Sequence, residues 1–284
     1  MQQLGSFLEV IDQYDAFFFD AFGVLIHSQG ALPGAAEALA LLEERQKSWL
    51  VVSNGAKFPR QMTAQGYRRR GLPIPDDKVL TSGMMLQNYF EHEGLHGAPT
   101  LWVGPECSKV LVESAGAELV GLQDPFEVLV ITDGFRDQYL ETMGKVISAI
   151  YRAVEANRSI RLVLPNPDLL FPAADGEFGV TSGAAASLIE EAIQLRYPGL
   201  ELTFEKLGKP YGFMFDVAKK MTGARKPLML GDQLPTDIQG AVTAGIDSVL
   251  LGSGLTPQKV LLSGCVPCEG PQPTYSLMSL AQGL

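Results

Sequence analysis

Short apolar runs that end at a polar residue are the main feature of the hydrophobic pattern. Three such runs are followed at once by polar residues: Phe17–Phe19 by Asp20, Trp49–Val52 by Ser53 and Asn54, and Pro227–Leu230 by Gly231 and Asp232. A continuous apolar run of this length is typical of a strand buried on both faces of a parallel sheet. Since the carboxyl ends of parallel strands lie at one edge, we expect these polar residues to gather there. A lone Asp in such a place is also common as a turn residue.

Amphipathic helices are predicted between these strands. Their ranges are about 33–47, 58–71, 184–196, 212–221 and 236–244, with a further strand at Ser248–Leu251 and a short closing helix near 277–282. The order strand, helix, strand implies right-handed crossovers and parallel pairing. The pattern therefore predicts an α/β fold with a doubly wound parallel sheet.

A second α/β unit is predicted inside the chain. Its own alternation of strands and helices begins at Thr100 and ends at Leu164. A chain of 284 residues, 46% of them hydrophobic, is long enough to bury a core in each of two domains. We expect a core domain made of residues 1–82 and 184–284, with residues 83–183 inserted as a cap domain.

Composition excludes some partners. The net charge of −10 does not fit nucleic-acid binding, which needs a basic surface. No apolar stretch is long enough to span a membrane, so we expect no membrane partner and a soluble, cytoplasmic protein. Cys265 and Cys268 form a C-x-x-C pair in a Gly/Pro-rich stretch, and Cys107 stands alone. Without a second pair a zinc site is not expected, so we interpret these residues as incidental thiols in a loop.

The residues expected at the sheet edge suit the chemistry of phosphate esters. Two carboxylates, Asp20 and Asp232, together with a backbone carbonyl can hold Mg²⁺, which prefers oxygen ligands. The turn at Ser53, Asn54 and Gly55 offers a hydroxyl, an amide and N–H groups to a phosphate, and Lys209 can neutralise charge. A carboxylate oxygen of Asp20 that is not bound to the metal can attack phosphorus and form an aspartyl-phosphate.

Four motifs resemble those of haloacid-dehalogenase-like (HAD) hydrolases. In chain order they are Asp20-Ala21-Phe22-Gly23-Val24, the Ser53-Asn54 turn after a strand, Gly208-Lys209-Pro210, and Gly231-Asp232 followed by Asp237. Asn166-Pro167-Asp168 and the position of the inserted domain are similar to those of the class IIA branch, which includes phosphatases for nitrophenyl phosphate and sugar phosphates. The resemblance covers roughly residues 17–254 and implies a Rossmann-like core with an inserted α/β cap.

The resemblance also implies a role for each matching residue. Asp20 would be the nucleophile, and it would bind Mg²⁺ together with the backbone carbonyl of Phe22 and with Asp232. Ser53 and Asn54 would bind the phosphoryl group, and Lys209 would pair with that group and with Asp20. Asp237 would hold a metal-bound water or orient the lysine, and Asp168 would face the substrate from the cap.

Phe22 is a departure from the family pattern. Phosphatases of this superfamily usually have a second Asp at that position, which protonates the leaving group and later activates water. Phenylalanine can do neither, and general acid–base catalysis typically contributes about 10²–10⁴-fold. His27 is the nearest titratable candidate for this proton transfer, and His92, His96 or a carboxylate of the cap are others.

Three functions remain open on this basis. The first, which we expect, is an Mg²⁺-dependent phosphatase acting on a small phosphorylated metabolite, with a sugar phosphate as the family default. The second is a metal-independent haloacid dehalogenase, because those relatives carry an aromatic residue at the place of Phe22. The third is a phospho-ligand-binding protein with impaired turnover. A homodimer is an open alternative to a monomer, by analogy with class IIA caps.

Overall fold

Two parallel sheets form the framework of the protein in a computed structural model that describes residues 1–134, 139–172, 177–256 and 270–283. The seven-stranded sheet contains, from edge to edge, β1 (Gln2–Gln3), β16 (Tyr275–Leu277), β15 (Asp247–Leu251), β14 (Pro227–Gly231), β2 (Ala16–Phe19), β5 (Ser48–Ser53) and β6 (Val79–Thr81). The five-stranded sheet contains β13 (Phe204–Lys206), β10 (Arg161–Leu164), β9 (Val128–Ile131), β7 (Pro99–Val103) and β8 (Glu118–Val120). We refer to them, with their flanking helices, as the core layer and the cap layer.

Helices cover both sheets. In the described residues they are α1 (Leu8–Ile11), α2 (Ala35–Glu44), α3 (Arg60–Arg69), α4 (Met85–Glu93), α5 (Lys109–Ser114), α6 (Tyr139–Glu155), α7 (Ser182–Arg196), α8 (Phe213–Thr222) and α9 (Gln239–Thr243). Two antiparallel hairpins complete this part of the chain: β3 (Ile26–His27) with β4 (Gly30–Ala31), and β11 (Leu170–Pro172) with β12 (Phe178–Val180). Across the described ranges, each helix is too short or too polar to cross a bilayer.

The apolar run of β2 is explained by its central place in the core layer. The strand pairs in parallel with β14 on one side and β5 on the other. Phe17 and Phe19 enter the hydrophobic cluster on one face of the sheet, while Phe18 enters the cluster on the opposite face. Because successive side chains point to opposite faces, a strand covered on both faces needs apolar residues at every position. The predicted doubly wound fold is therefore confirmed.

The cap layer extends further along the chain than the sequence interpretation placed it. Residues 184–284 were expected to return to the core, but α7 packs in the hydrophobic cluster of the cap layer and β13 pairs with β10 at the edge of the cap sheet. The apolar side chains of α7 at Ala185, Ile189 and Ile193 explain this packing, because they join the same hydrophobic cluster as the apolar side chains of α6. The second part of the core layer begins after Lys206, and not at residue 184.

The closing helix predicted near 277–282 does not form: a strand ends at Leu277, and bends and turns follow it up to residue 283. Tyr275–Leu277 forms β16, which pairs with β15 and holds the N-terminal strand β1 on its other side. Ser276 and Leu277 are buried because β16 lies between two strands, and this pairing, rather than local preference, places a strand just before the predicted helix. The Cys265 and Cys268 pair lies outside the described residues.

Candidate active site

The carboxyl ends of three core strands deliver the acidic and phosphate-binding candidates to one place. Asp20 follows β2, Ser53 ends β5 and Asp232 follows β14, as the apolar runs predicted. A single π-helical turn, Leu234–Ile238, then brings Asp237 back over the end of β14. These strands are neighbours in the sheet, so their ends are necessarily close.

Lys209 is the centre of the site. Its Nζ donates to Asp20 Oδ1 at 2.6 Å and to Asp237 Oδ1 at 2.7 Å. The lysine is 1% exposed, and both carboxylates are buried. A buried ammonium is stable only when it is paired and hydrogen-bonded, and here two carboxylates satisfy that need.

Three carboxylates form a group able to hold a metal ion. One oxygen each of Asp20, Asp232 and Asp237 lie within 4.8 Å of one another. Oδ2 of Asp232 accepts a hydrogen bond from Leu255 N at 2.6 Å, whereas its Oδ1 is buried without a hydrogen-bond partner among the described residues. A buried carboxylate oxygen without a donor is costly unless a cation binds it. This donor set of hard oxygens fits Mg²⁺.

Gly23 allows the backbone after Phe22 to approach this group. Its φ of 84° lies in the left-handed region, and a Cβ at this position would stand 2.5 Å from Asp232 Oδ2. Only glycine fits both the conformation and the space. The chain at Phe22 therefore passes directly beside the Asp232 carboxylate.

Both carboxylate oxygens of Asp237 accept hydrogen bonds within the protein. Besides accepting from Lys209, it accepts hydrogen bonds through Oδ2 from the backbone N–H groups of Asp232 and Gln233, each at 3.1 Å. Of the two roles open from sequence, this geometry favours orientation of the lysine. It also fixes the turn that carries Asp232.

The crowding of buried charge shifts the pKa values of the site. Burial raises the pKa of Asp20 to about 6; the Lys209 ammonium counteracts this and the Asp237 carboxylate adds to it. Burial and the neighbouring carboxylates raise the pKa of Asp232 well above its usual range. Burial lowers the pKa of Lys209, but Asp20 and Asp237 outweigh it, so that its pKa is raised and the ammonium persists. A further cation bound beside these carboxylates would stabilise their ionised forms.

Asn54 connects the core layer to the cap layer. Its Nδ2 donates to Asp168 Oδ1 at 2.8 Å and to the Lys209 carbonyl at 2.9 Å, and its Oδ1 accepts from Lys209 N at 2.7 Å. Both amide hydrogens are thus used within the protein, which differs from the expectation that the side chain binds the phosphoryl group. The adjacent Ser53 Oγ accepts from Gly55 N at 3.3 Å and lines the cavity described next.

A cavity of about 530 Å³ lies between the layers at this site. Asp20, Phe22 and the residues 53–55 line it from the core, and Asp133, Asn166 and Asp168 line it from the ends of the cap strands. Such a volume is typical of a small-molecule site. The sequence analysis did not identify four further residues that line the cavity: Asp133, Tyr67, Arg69 and Arg70.

The histidines proposed as proton donors are not brought to the cavity by the described structure. His27 lies in the β3–β4 hairpin, where its Nδ1 accepts from Gln29 N at 2.9 Å, and it is absent from the described cavity wall. The side chain of His92 is 82% exposed on α4. His96 lies against Gly116 in the cap layer.

Comparison with known proteins gives the family. A model described as haloacid dehalogenase-like hydrolase matches residues 17–118, and a HAD-hydrolase-like model matches residues 206–282. The chain is 28% identical over 244 residues to a dihydroxyacetone phosphatase from Corynebacterium glutamicum, covering 85% of this chain and 82% of that protein. The two family models together cover all four motifs.

Solved structures agree with this assignment. A possible sugar phosphatase of the HAD superfamily from Cytophaga hutchinsonii superposes with a TM-score of 0.83 at 26% identity, covering all of both chains. A glycerol phosphate phosphatase from Mycobacterium tuberculosis, solved in complex with magnesium, gives a TM-score of 0.79 at 21% identity, covering 96% of this chain and 77% of that one. With its four motifs on the predicted strand ends and an α/β cap inserted after the second, the chain belongs to the haloacid-dehalogenase-like hydrolases, an enzyme superfamily, and to its class IIA branch.

Proposed function

We propose that this protein is an Mg²⁺-dependent phosphatase that hydrolyses a small phosphate monoester through an aspartyl-phosphate. The observation that carries the proposal is the buried cluster of Asp20, Asp232 and Asp237 around the Lys209 ammonium, open to a cavity of about 530 Å³. Carboxylates buried this close together need cations beside them. The phosphate group of a monoester is an anion that those cations would bind.

Mg²⁺ would be held by Asp20, the Phe22 carbonyl and Asp232, and it would neutralise the charge of the phosphoryl oxygens. Two features support this choice of ligands: the unpartnered Oδ1 of Asp232, and the close approach of the backbone at Gly23 to the same carboxylate. Asp20 is the nucleophile in this proposal. One of its oxygens is held by Lys209, which leaves the other to attack phosphorus.

The remaining residues of the core bind and orient the phosphoryl group. Lys209 lies beside Asp20 and would stabilise negative charge that develops on the phosphoryl oxygens. Ser53 lines the cavity and would donate its hydroxyl hydrogen, with the N–H groups of the turn at Asn54 and Gly55 next to it. The Asn54 side chain holds Lys209 and Asp168 in place rather than contacting the phosphoryl group.

Small phosphorylated metabolites, sugar phosphates among them, are the proposed substrates. The relatives reported above act, by their names, on dihydroxyacetone phosphate and glycerol phosphate. A metal-independent dehalogenase remains the alternative suggested by Phe22. The acidic cluster at Asp232 favours the phosphatase, since a metal-free reaction has no use for a buried carboxylate oxygen that lacks a donor among the described residues, as Asp232 Oδ1 does.

A phosphatase screen tests the proposal. Purified protein is assayed with p-nitrophenyl phosphate and a panel of phosphorylated metabolites, with MgCl₂ or with EDTA. We expect phosphate release that requires the metal and is lost in Asp20→Asn. The exposed Asp77→Asn is the matched control, and it should keep the wild-type rate. Halide release from a 2-haloacid in EDTA, or phosphate binding without turnover by the wild type, would contradict the proposal.

A further inference from the structure

The proposed reaction needs a group that donates a proton to the leaving oxygen, and the residues described so far do not supply one. When the P–O bond of an alkyl phosphate breaks, the departing oxygen is strongly basic and needs a proton. At the usual place of the donor this chain has Phe22, whose ring lines the cavity. Proton transfer typically contributes about 10²–10⁴-fold to such a step. A useful donor must therefore come from elsewhere on the cavity wall.

Few side chains on the described wall can donate this proton. The titratable groups there, apart from the nucleophile, are Lys57, Tyr67, Arg69, Arg70, Asp133 and Asp168. Arginines stay protonated, and burial raises the pKa of Tyr67 above its usual range, which makes its phenol a weaker acid. The Lys57 ammonium lies over the ring of Phe58, 5.3 Å from its centre, rather than beside another charged group of the reaction centre. We therefore consider the two carboxyls of the cap.

Asp133 is hydrogen-bonded within its own loop. Its Oδ1 accepts from Gly134 N at 2.7 Å. Burial raises its pKa, but the Gly134 N–H, the Lys57 ammonium and the Ala56 N–H all lower it. None of these neighbours is Asp20, Lys209 or Asp237, whereas all three of those groups act on Asp168.

Asp168 is fixed facing the reaction centre. Its backbone N–H donates to Asn166 Oδ1 at 3.0 Å, and its carbonyl accepts from Gly183 N at 3.0 Å, so both polar groups of its main chain are hydrogen-bonded within the cap layer. Among the described residues only Oδ1 of its carboxyl accepts a hydrogen bond, from Asn54 at 2.8 Å. Because the same Asn54 amide also holds the Lys209 carbonyl, Asp168 is joined through one side chain to the lysine that pairs with Asp20.

We propose that Asp168, carried by the cap layer, is the proton donor to the leaving group and takes the place of the acid that Phe22 cannot supply. This proposal rests on the proposed phosphatase function. It assigns the acid to the cap and the nucleophile to the core, on opposite walls of one cavity.

The protonation state of Asp168 is consistent with this role. Burial raises the pKa of Asp168 to about 7, the Asn54 hydrogen bond and the Lys209 ammonium lower it, and the carboxylates of Asp20 and Asp237 raise it. A carboxyl with such a pKa is partly protonated near neutral pH, where an acid that must also act as a base is most effective.

The two half-reactions balance with Asp168 as donor and then acceptor. A carboxylate oxygen of Asp20 bonds to phosphorus while the ester P–O bond breaks; its electron pair stays on the leaving oxygen, which takes the proton of Asp168 and departs as an alcohol. Water then replaces the alcohol. Asp168 removes a proton from it as its oxygen bonds to phosphorus, and the P–O bond to Asp20 breaks. Inorganic phosphate, the Asp20 carboxylate and protonated Asp168 result.

Leaving-group dependence tests the proposal with the Mg²⁺-loaded full-length protein. Nitrophenolate is a weak base and departs without a proton. The alkoxide released from glycerol phosphate is strongly basic and needs a proton to depart. In Asp168→Asn, whose amide oxygen still accepts from Asn54, we expect kcat/KM for glycerol phosphate to fall by about 10²-fold or more, and kcat/KM for p-nitrophenyl phosphate by less than about tenfold. This parameter reports the steps up to departure of the leaving group and excludes the later hydrolysis of the aspartyl-phosphate, which is the same for both substrates. Asp133→Asn removes a carboxyl from the same wall and should leave the ratio of the two rates as in the wild type.

A pH profile supplies a second readout. The wild-type kcat/KM for glycerol phosphate should decline above about pH 7, as Asp168 loses its proton, and this limb should be missing in Asp168→Asn. Equal losses for both substrates, or a retained limb, would overturn the role of Asp168 while Asp20-dependent turnover still supports the phosphatase. If no ester is hydrolysed in an Asp20-dependent manner, the phosphatase itself fails.

Discussion

Replacement of Lys209 by methionine removes the positive charge that pairs with the buried carboxylates of the site. Among the described residues, no other cation pairs with these carboxylates. The ammonium pairs with Asp20 and Asp237 at 2.6 and 2.7 Å, and the side chains of all three residues are at most 10% exposed. Methionine has a similar length and no charge, so packing is largely kept. Breaking a buried ion pair by removing one partner typically costs about 3–5 kcal/mol. We expect Lys209→Met to lose that amount of unfolding free energy at about pH 8 in EDTA.

The loss should depend on pH. The pKa of Asp20 is already raised to about 6 in the wild type, and the Lys209 ammonium is one of the groups that hold it down. Without the ammonium the pKa rises further, so the folded variant takes up a proton as the pH falls, while the unfolded chain does so only at lower pH. Each unit of pKa difference corresponds to about 1.4 kcal/mol. At about pH 5 the loss should therefore be smaller by about 1–2 kcal/mol.

Urea unfolding at the two pH values, followed by circular dichroism, measures both quantities. The matched control is Lys220→Met, which removes an exposed lysine from α8 and should change the unfolding free energy by less than about 0.5 kcal/mol. A loss of under about 1 kcal/mol at the higher pH, or the same loss at both, would show that the lysine does not hold the carboxylates together.

Three further changes test other parts of the site. Gly254→Ala keeps every charge, but its Cβ would overlap the Asp232 carboxylate, so we expect calorimetry to show at least about tenfold weaker Mg²⁺ binding. Phe22→Asp added to Asp168→Asn returns a carboxyl to the cavity wall, and turnover of glycerol phosphate should recover by about tenfold or more. Phe171→Ser removes an apolar group from the cavity mouth and should raise KM for p-nitrophenyl phosphate by about tenfold, with kcat little changed.

Much of the core site could be predicted from the sequence because it depends on strand order. A buried parallel strand has a recognisable apolar run, and its end fixes where the next residue lies. The positions of Asp20, Ser53 and Asp232 at one sheet edge follow from this pattern alone. Lys209 was predicted from its motif, and its two carboxylate partners agree with the role expected from the family.

Contacts between distant segments could not be read in the same way. The bond from Asn54 to Asp168 joins residues 114 positions apart and depends on how the two layers pack. The membership of α7 and β13 in the cap layer has the same origin, because a helix with apolar positions on one face does not specify which sheet it covers. The strand at Tyr275–Leu277 was missed because pairing with β15, and not local preference, determines its structure.

Division of the site between two layers has a consequence for catalysis. We propose that the core holds the nucleophile, the lysine and the metal-binding carboxylates, and that these groups suffice to form and stabilise an aspartyl-phosphate from an ester with a good leaving group. In our proposal the acid is on the cap, so an ester with a poor leaving group can react only while the cap is docked. Asn54 bonds to both Asp168 and the Lys209 backbone, and so it couples docking to the geometry of the lysine. A phenylalanine at position 22 is then compatible with turnover, because proton transfer depends on cap closure rather than on the nucleophile's own strand.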